Sequence, residues 1–292
     1  MTKFVADSSC DMLHIKDVDF TPVPLTISTN ERTFIDDERL ELHELLDYME
    51  GYNDRSFTAC PGTQTWLNAF EGGDVIYVTT LSAALSGCYN SAKTAADIYL
   101  EDHPDAKIHI FNSFTTGAEM RLIIEKQIEL DRAGVPFEEL ITQVEEYLET
   151  TRIFFAFQSL HNLAQNGRIS KVVAAAVGAL NINVVGTGTN DGILDTLAKR
   201  RGEKHAAAEV MHQLEECGYN GGKIRISHTD AKTLAQKYAY NIQTKYPEAD
   251  IKIYEARGLI GYYSERGGII VACETDRVQF PEETDAVEST EE

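Results

Sequence analysis

The stretch DVIYVTTLSAALSGCYNSA, residues 74–92, predicts a strand, a hydroxyl-rich loop and the first turn of a helix. Residues 75–78 form a β-branched and aromatic run typical of a buried strand, and apolar residues recur at helical spacing over residues 88–99. Ser86 and Gly87 therefore come just before a helix N-terminus, where unpaired backbone N–H groups and the helix dipole favour an anion. In an open α/β sheet, ligands also bind beyond this end of the strands. The alternative is that Ser86, or Ser82 in the same loop, only caps the helix.

The first half of the chain alternates predicted strands with predicted helices. This alternation favours an α/β fold with a doubly wound, mostly parallel sheet. We predict strands at residues 3–6, 75–78 and 107–112, and helices at residues 40–50, 63–71, 88–99, 117–133 and 137–150.

Hydroxyl side chains cluster in the loops of this first half. Three hydroxyl-rich loops, at residues 8–9, 82–86 and 113–116, each follow a predicted strand, and Thr58 lies in a fourth loop. Because parallel strands end at one edge of a sheet, we expect the three loops to lie close together. Hydroxyls without a base make poor catalysts but good hydrogen-bond donors to a carboxylate. The pattern therefore favours a binding site for a small acid.

The composition changes near Arg152, where a strand dense in aromatic residues begins. We predict one α/β domain at residues 1–151 and a second at residues 152–280, followed by an acidic, disordered tail at residues 281–292. The second domain is predicted to contain strands at residues 153–157, 182–185, 223–227, 251–255 and 269–273, and helices at residues 172–180, 202–217 and 231–246.

Charge and cysteine usage exclude several classes of protein. The chain has 292 residues and a net charge of −21, so its surface repels phosphate backbones and anionic membranes, and we expect no nucleic-acid partner. Its five cysteines form no C-x-x-C pair, which argues against a disulfide framework or a zinc site. We find neither a signal-peptide pattern nor an apolar run of membrane-spanning length. We therefore expect a cytoplasmic protein with no integral membrane association.

The motifs of common enzyme classes are absent. There is no phosphate-binding loop for ATP, and the glycine cluster at residues 186–192 is better interpreted as a turn than as a dinucleotide site. The scattered histidines are interpreted as surface or packing residues rather than bases. The carboxylate pair Asp36 and Asp37 adjoins a predicted turn, and we interpret both as solvated turn acids.

Several short motifs, in order, resemble the DegV family, which includes the fatty-acid-binding subunits of bacterial fatty acid kinase. No one motif is decisive, but their order and spacing together are specific. The matching segments are Asp7-Ser8-Ser9 with Asp11, Pro24-Leu25, Thr58 with Pro61, Leu85-Ser86-Gly87-Cys88-Tyr89-Asn90-Ser91-Ala92, Gly167-Arg168-Ile169-Ser170 and Arg201-Gly202.

The resemblance implies a two-domain fold with one long-chain fatty acid held between the domains. It implies that Thr58 and Ser86 donate hydrogen bonds to the carboxylate, that the backbone around Gly87 supports them, and that the acyl chain enters an apolar tunnel. Tyr263 occupies the position of the family's carboxylate-binding histidine, and Ser113, in the third hydroxyl loop, is included in the predicted site.

The resemblance also implies a partner. A separate kinase catalytic subunit would phosphorylate the bound carboxylate to an acyl phosphate, so this chain would need neither catalysis nor a cofactor of its own. Arg168 would lie on the surface that faces the kinase, and Arg200 and Arg201 would add to a basic docking patch.

Two other functions remain open from the sequence. Ser86 could be the nucleophile of a hydrolase or transferase, but this requires a base within hydrogen-bond reach. The protein could also carry another small organic acid, because Ala59, Cys88 and Tyr263 depart from the family pattern.

Overall fold

The first half of the protein is built on a four-stranded parallel sheet. The computed structural model describes residues 1–170 and 181–276. The strands of this sheet are β1 (Thr2–Asp7), β2 (Phe20–Val23), β6 (Val75–Thr80) and β7 (Lys107–Asn112), in the order β2-β1-β6-β7. All of its strand pairs are parallel, which confirms the predicted parallel sheet. The helices of this half are α1 (Leu42–Gly51), α2 (Thr63–Phe70), α3 (Cys88–Asp102), α4 (Ala118–Arg132) and α5 (Phe137–Leu148).

A small antiparallel sheet was not predicted. It contains β3 (Thr26–Ser28), β4 (Thr33–Ile35) and β5 (Phe57–Ala59), with β3 in the middle. Thr58, which we expected in a loop, is instead the central residue of β5 and pairs with Ile27. Strand pairing therefore fixes the backbone that carries the Thr58 hydroxyl.

The second half is built on a six-stranded mixed sheet. Its strands are β8 (Thr151–Phe157), β9 (Ile182–Gly188), β10 (Leu194–Arg201), β11 (Lys223–His228), β12 (Asp250–Glu255) and β13 (Ile269–Glu274), in the order β10-β9-β8-β13-β11-β12. Its helices are α6 (His161–Gln165), α7 (Glu203–Glu216), α8 (Lys232–Lys245) and α9 (Gly258–Ser264). The predicted helix at residues 172–180 and the predicted tail at residues 281–292 lie outside the described residues.

Helix α4 joins the two halves. It packs against β6 of the first sheet and against β8, β11 and β13 of the second. Most of its residues are buried, including polar ones such as Glu119 and Gln127. Its exposed positions are confined to a narrow face that includes Glu129 and Arg132, so the buried residues spread over the rest of the helix instead of forming a single stripe.

Buried carboxylates from the first half anchor helix α9 of the second half. The carboxylate of Asp36 accepts hydrogen bonds from the backbone N–H groups of Gly258 and Leu259 at 2.8 and 2.9 Å, and Asp11 accepts one from Arg257 at 2.7 Å. The interpretation of Asp36 as a solvated turn acid was therefore wrong, because its side chain is buried at the first turn of a helix. These bonds fix the helix that carries Tyr263.

Candidate functional site

An apolar cavity lies between the two sheets and takes side chains from both halves. Its volume is ≈ 60 Å³, and Ile153, Phe155 and Phe157 lie along one side of it, at alternate positions of β8. The other apolar lining residues are Leu25, Leu81, Leu85, Leu194, Leu259, Ile260 and Ile270, and the polar ones are Thr58, Ser86, Thr116, Arg168, Tyr263 and Ser264. The structure therefore brings together four of the predicted site residues, from widely separated parts of the chain.

Thr58 and Tyr263 form a hydroxyl pair at this cavity. Thr58 Oγ1 and Tyr263 OH are 2.7 Å apart, and either can donate. The bond between them uses one of their two protons, so the other hydroxyl can donate to a ligand. Burial raises the pKa of Tyr263, so its hydroxyl stays protonated at neutral pH. The pair can therefore offer a hydrogen bond to a carboxylate but cannot remove a proton from a substrate near pH 7.

A second polar network holds Tyr262, the neighbour of Tyr263 in α9, and the sequence did not predict it. The neighbouring Tyr262 hydroxyl is 2.6 Å from Ser56 Oγ and accepts a hydrogen bond from Asn166 Nδ2 at 2.9 Å. Asn162 Nδ2 donates to the backbone oxygen of Tyr262 at 2.7 Å. These bonds orient the last turn of α9, and no local sequence pattern indicates them because the partners lie far apart along the chain.

Ser86 lies at the cavity wall just before α3. Its Oγ donates to Cys88 Sγ at 3.3 Å and accepts a long hydrogen bond from the Cys88 backbone N–H at 3.4 Å. The N-cap of α3 is Gly87, and none of the described side chains caps the helix, so the capping interpretation is wrong for Ser86, which contacts the first turn and lines the cavity. Gly87 precedes the helix, and a side chain there would lie 3.2 Å from Cys60 Sγ, so the close approach of this loop favours glycine.

No base accompanies Ser86 at this cavity. Among the described residues that line it there is no histidine, aspartate, glutamate or lysine. A serine nucleophile requires a neighbouring group that accepts its proton. The arrangement therefore suits hydrogen-bond donation better than covalent catalysis.

Arg168 bridges the two halves at the cavity wall. Its Nε donates to the backbone oxygen of Leu85 at 3.0 Å, and its Nη1 donates to the backbone oxygen of Asn166. The guanidinium opposes the effect of burial on the pKa of Tyr263, which shows that its positive charge acts on the hydroxyl pair. Arg168 thus supplies the positive charge of the site.

Besides Gly87, three other predicted residues do not line this cavity. Ser113 lines a separate cavity of ≈ 470 Å³, and its Oγ donates to the backbone oxygen of Thr115 at 3.2 Å. Thr116 of the same loop lines the apolar cavity instead. Arg200 pairs with Glu209 of α7 at 2.5 Å, and Arg201 is exposed on the same strand. Neither arginine lines the cavity together with Arg168.

The described residues meet neither the requirements of a metal site of three or more ligands nor those of a membrane-spanning helix. Across the part of the chain that the structure describes, no group of three or more His, Cys, Asp or Glu side chains could hold a metal ion. Within residues 1–170 and 181–276, no helix is both long enough and apolar enough to cross a membrane.

Comparison with known proteins gives close matches in sequence and structure. A family model described as an uncharacterised protein of the DegV family matches residues 1–275. A DegV domain-containing protein of Streptococcus pneumoniae is 37% identical over 278 residues, which is 94% of this chain and 99% of that protein.

Two similar crystal structures contain fatty acids. A DegV family protein from Eubacterium eligens loaded with heptadecanoic acid is 45% identical, with a TM-score of 0.93, over 94% of this chain and 100% of that chain. The Fatty Acid Kinase (Fak) B3 protein of Streptococcus pneumoniae loaded with linoleic acid is 37% identical, with a TM-score of 0.92, over 94% of this chain and 99% of that chain.

Proposed function

The chain belongs to the DegV family, and from this premise we propose that it binds a long-chain fatty acid in the cavity between its two sheets. The observation that carries the proposal is the Thr58–Tyr263 hydroxyl pair, 2.7 Å apart, at an otherwise apolar cavity that Arg168 also lines. Hydroxyl donors and one cation suit a carboxylate, and the apolar walls suit an alkyl chain.

The energetics of the cavity support a carboxylate with a long tail. A hydrogen bond to a charged group contributes about 1.5–3 kcal/mol, and Thr58, Tyr263 and Ser86 each carry a hydroxyl at the cavity. Each methylene buried against side chains such as Phe155 and Ile270 adds about 0.8 kcal/mol. The tail therefore supplies most of the affinity, and the polar groups orient the acid.

We further propose that the bound acid is presented to a fatty acid kinase catalytic subunit, which converts the carboxylate to an acyl phosphate. Support comes from the similarity to the Fatty Acid Kinase (Fak) B3 protein and from the position of Arg168, which is half-buried at the polar end of the cavity. The other docking residues that we propose are Arg201, which is exposed, and Arg200, whose guanidinium pairs with Glu209. A partner that uses ATP places this step in the cytoplasm.

Mass spectrometry of the purified protein tests the first proposal. Under native conditions we expect a mass increase equal to one fatty acid, and organic extraction should release that acid in a one-to-one ratio. A Thr58→Val, Tyr263→Phe double variant should retain less of it. A wild-type protein that is empty and also fails to bind added fatty acids would exclude this function.

The kinase proposal needs a separate assay. The loaded protein, a fatty acid kinase catalytic subunit and ATP are mixed, and acyl phosphate is trapped with hydroxylamine. We expect hydroxamate only when all three components are present, and less of it with Arg168→Met at saturating protein. Normal fatty acid binding without hydroxamate would remove the kinase from the proposal and leave the binding function intact.

A further inference from the structure

Among the described residues, one side chain lines both the apolar cavity and the larger cavity. Ile153 lines both the ≈ 60 Å³ cavity and the ≈ 470 Å³ cavity that contains Ser113. We propose that Ile153 is a constriction at the end of the fatty acid cavity, and that the size of its side chain sets how much of a longer acyl chain passes into the larger cavity. This inference rests on the proposed fatty acid function and adds the residue that determines its preference for chain length.

The polar groups and Ile153 lie at opposite ends of β8. The chain leaves β8 at Phe157 and runs through α6 to Arg168, and Asn162 of α6 is bonded to Tyr262, next to Tyr263. Ile153 lies four residues earlier, close to the opposite end of the strand. At roughly 3.3 Å per residue this separates Ile153 from Phe157 by about 13 Å.

This length is shorter than a long acyl chain. An extended backbone advances roughly 3.6 Å over its three bonds per residue, or about 1.2 Å per single bond, so about 13 Å holds about eleven bonds. Heptadecanoic acid, the ligand of the Eubacterium eligens protein, has about sixteen carbon–carbon bonds by the same count of one bond per added carbon. An extended chain of that length, anchored at the polar end, would therefore reach Ile153 and pass it.

The volumes of the two cavities also indicate that a long acyl chain needs space beyond Ile153. A cavity of about 150 Å³ holds benzene in other proteins, so a volume of ≈ 60 Å³ is small even for a short alkyl segment. The adjoining ≈ 470 Å³ cavity has apolar walls at Ile110, Phe111, Phe114 and Leu148, and its acidic and basic lining residues are His109, Glu119, Glu145, Glu149 and Arg152. Space for the last carbons of a long chain therefore lies beyond Ile153, along the apolar part of this cavity.

A chain-length series tests the assignment. Saturated fatty acids from hexanoic to arachidic acid compete with a fluorescent fatty acid for the wild-type protein, Ile153→Ala and Ile153→Phe, so that the series begins well below the length that reaches Ile153. For the wild type, affinity should rise about fourfold per methylene until the chain reaches Ile153, and then level off. We expect Ile153→Ala to shift the plateau to longer acids and Ile153→Phe to shift it to shorter ones.

A matched variant controls for general loosening of the sheet. Ile226 is fully buried in β11 of the same sheet and lines neither cavity, so Ile226→Ala should keep the wild-type profile. If Ile153→Ala unfolds, Ile153→Val should give a smaller shift in the same direction. Identical profiles for the wild type and the folded Ile153 variants would overturn the assignment while fatty acid binding stands. A wild-type protein that binds no acid in the series would instead overturn the proposed function.

Discussion

Removal of the Tyr263 hydroxyl probes the proposed carboxylate site at its centre. Tyr263→Phe keeps the ring that lines the cavity and deletes only the oxygen that lies 2.7 Å from Thr58 Oγ1. The variant therefore separates the polar contribution to binding from the apolar one. Loss of the bond to Thr58 should also lower the free energy of unfolding by about 1 kcal/mol.

The expected loss of affinity depends on how the two hydroxyls share their protons. If Thr58 donates to the carboxylate and Tyr263 only orients it, Tyr263→Phe removes one neutral hydrogen bond of about 1 kcal/mol, or about fivefold in Kd. If Tyr263 donates to the carboxylate directly, the loss is about 1.5–3 kcal/mol, or roughly 10- to 100-fold. We thus expect at least a fivefold increase in Kd, and a larger one for the double variant with Thr58→Val.

The assay is a titration with palmitic acid followed by displacement of a fluorescent analogue. Tyr262→Phe is the matched control, because Tyr262 has a hydroxyl with two partners, on the same turn of α9, but does not line the apolar cavity. It should lower thermal stability and raise Kd much less than Tyr263→Phe does, because the Tyr262 hydroxyl orients the turn but does not reach the cavity. If Tyr263→Phe, folded and as stable as expected, binds palmitic acid with the wild-type Kd, the carboxylate is not held by this hydroxyl pair.

Three further predictions concern other residues. Ser86→Ala should increase the Kd for palmitic acid several-fold in the same titration, because one donor at the cavity is lost. An unchanged Kd would mean that the Ser86 hydroxyl contacts only Cys88 in the first turn of α3. Burial raises the pKa of Asp11 to about 6, so the folded protein binds the carboxyl proton of Asp11 more tightly than the unfolded chain does. The stability contributed by this proton is fully present below about pH 4 and is lost as the pH rises to about 6. Urea unfolding of Asp11→Asn should therefore show a flatter pH profile in that window, and an unchanged slope would contradict the assignment. Arg225 is buried, and its Nη2 lies 2.5 Å from Glu125 Oε2 of α4. Arg225→Met should therefore lower the free energy of unfolding in urea by about 3–5 kcal/mol. A decrease below about 1 kcal/mol would show that this pair does not hold the two halves together.

The parallel sheet was predictable because its signal is local. A short apolar strand followed by a polar loop and a helical period recurs along the first half, and each segment contains its own pattern. The small sheet that holds Thr58 was missed because its strands have only three residues, too few for alternation to stand out. Helix α9 was missed for a similar reason, since it has seven residues, two of them glycine.

The site was predictable only in part, because its polar partners are distant in the chain. Thr58 and Tyr263 are 205 positions apart, and only the family resemblance placed both at one carboxylate. Asp36 looked like a solvated acid because the backbone N–H group of Gly258 that it binds is 222 positions away. Ser113 and Thr116 are both hydroxyl residues of one loop, and the sequence pattern does not distinguish them. The backbone path turns Thr116 toward the apolar cavity and Ser113 toward the larger one, and this path has no local sequence signal.

Helix α9 is held to the first half of the chain at both of its ends. At its start, the buried carboxylates of Asp11 and Asp36 accept three backbone hydrogen bonds. Near its end, the Tyr262 hydroxyl lies 2.6 Å from Ser56 Oγ, and the Tyr263 hydroxyl lies 2.7 Å from Thr58 Oγ1. Of these contacts, the Thr58–Tyr263 pair is the one that lines the apolar cavity. A carboxylate held there, as we propose, contacts the first half through Thr58 and helix α9 through Tyr263, so the ligand itself lies across a contact between the halves.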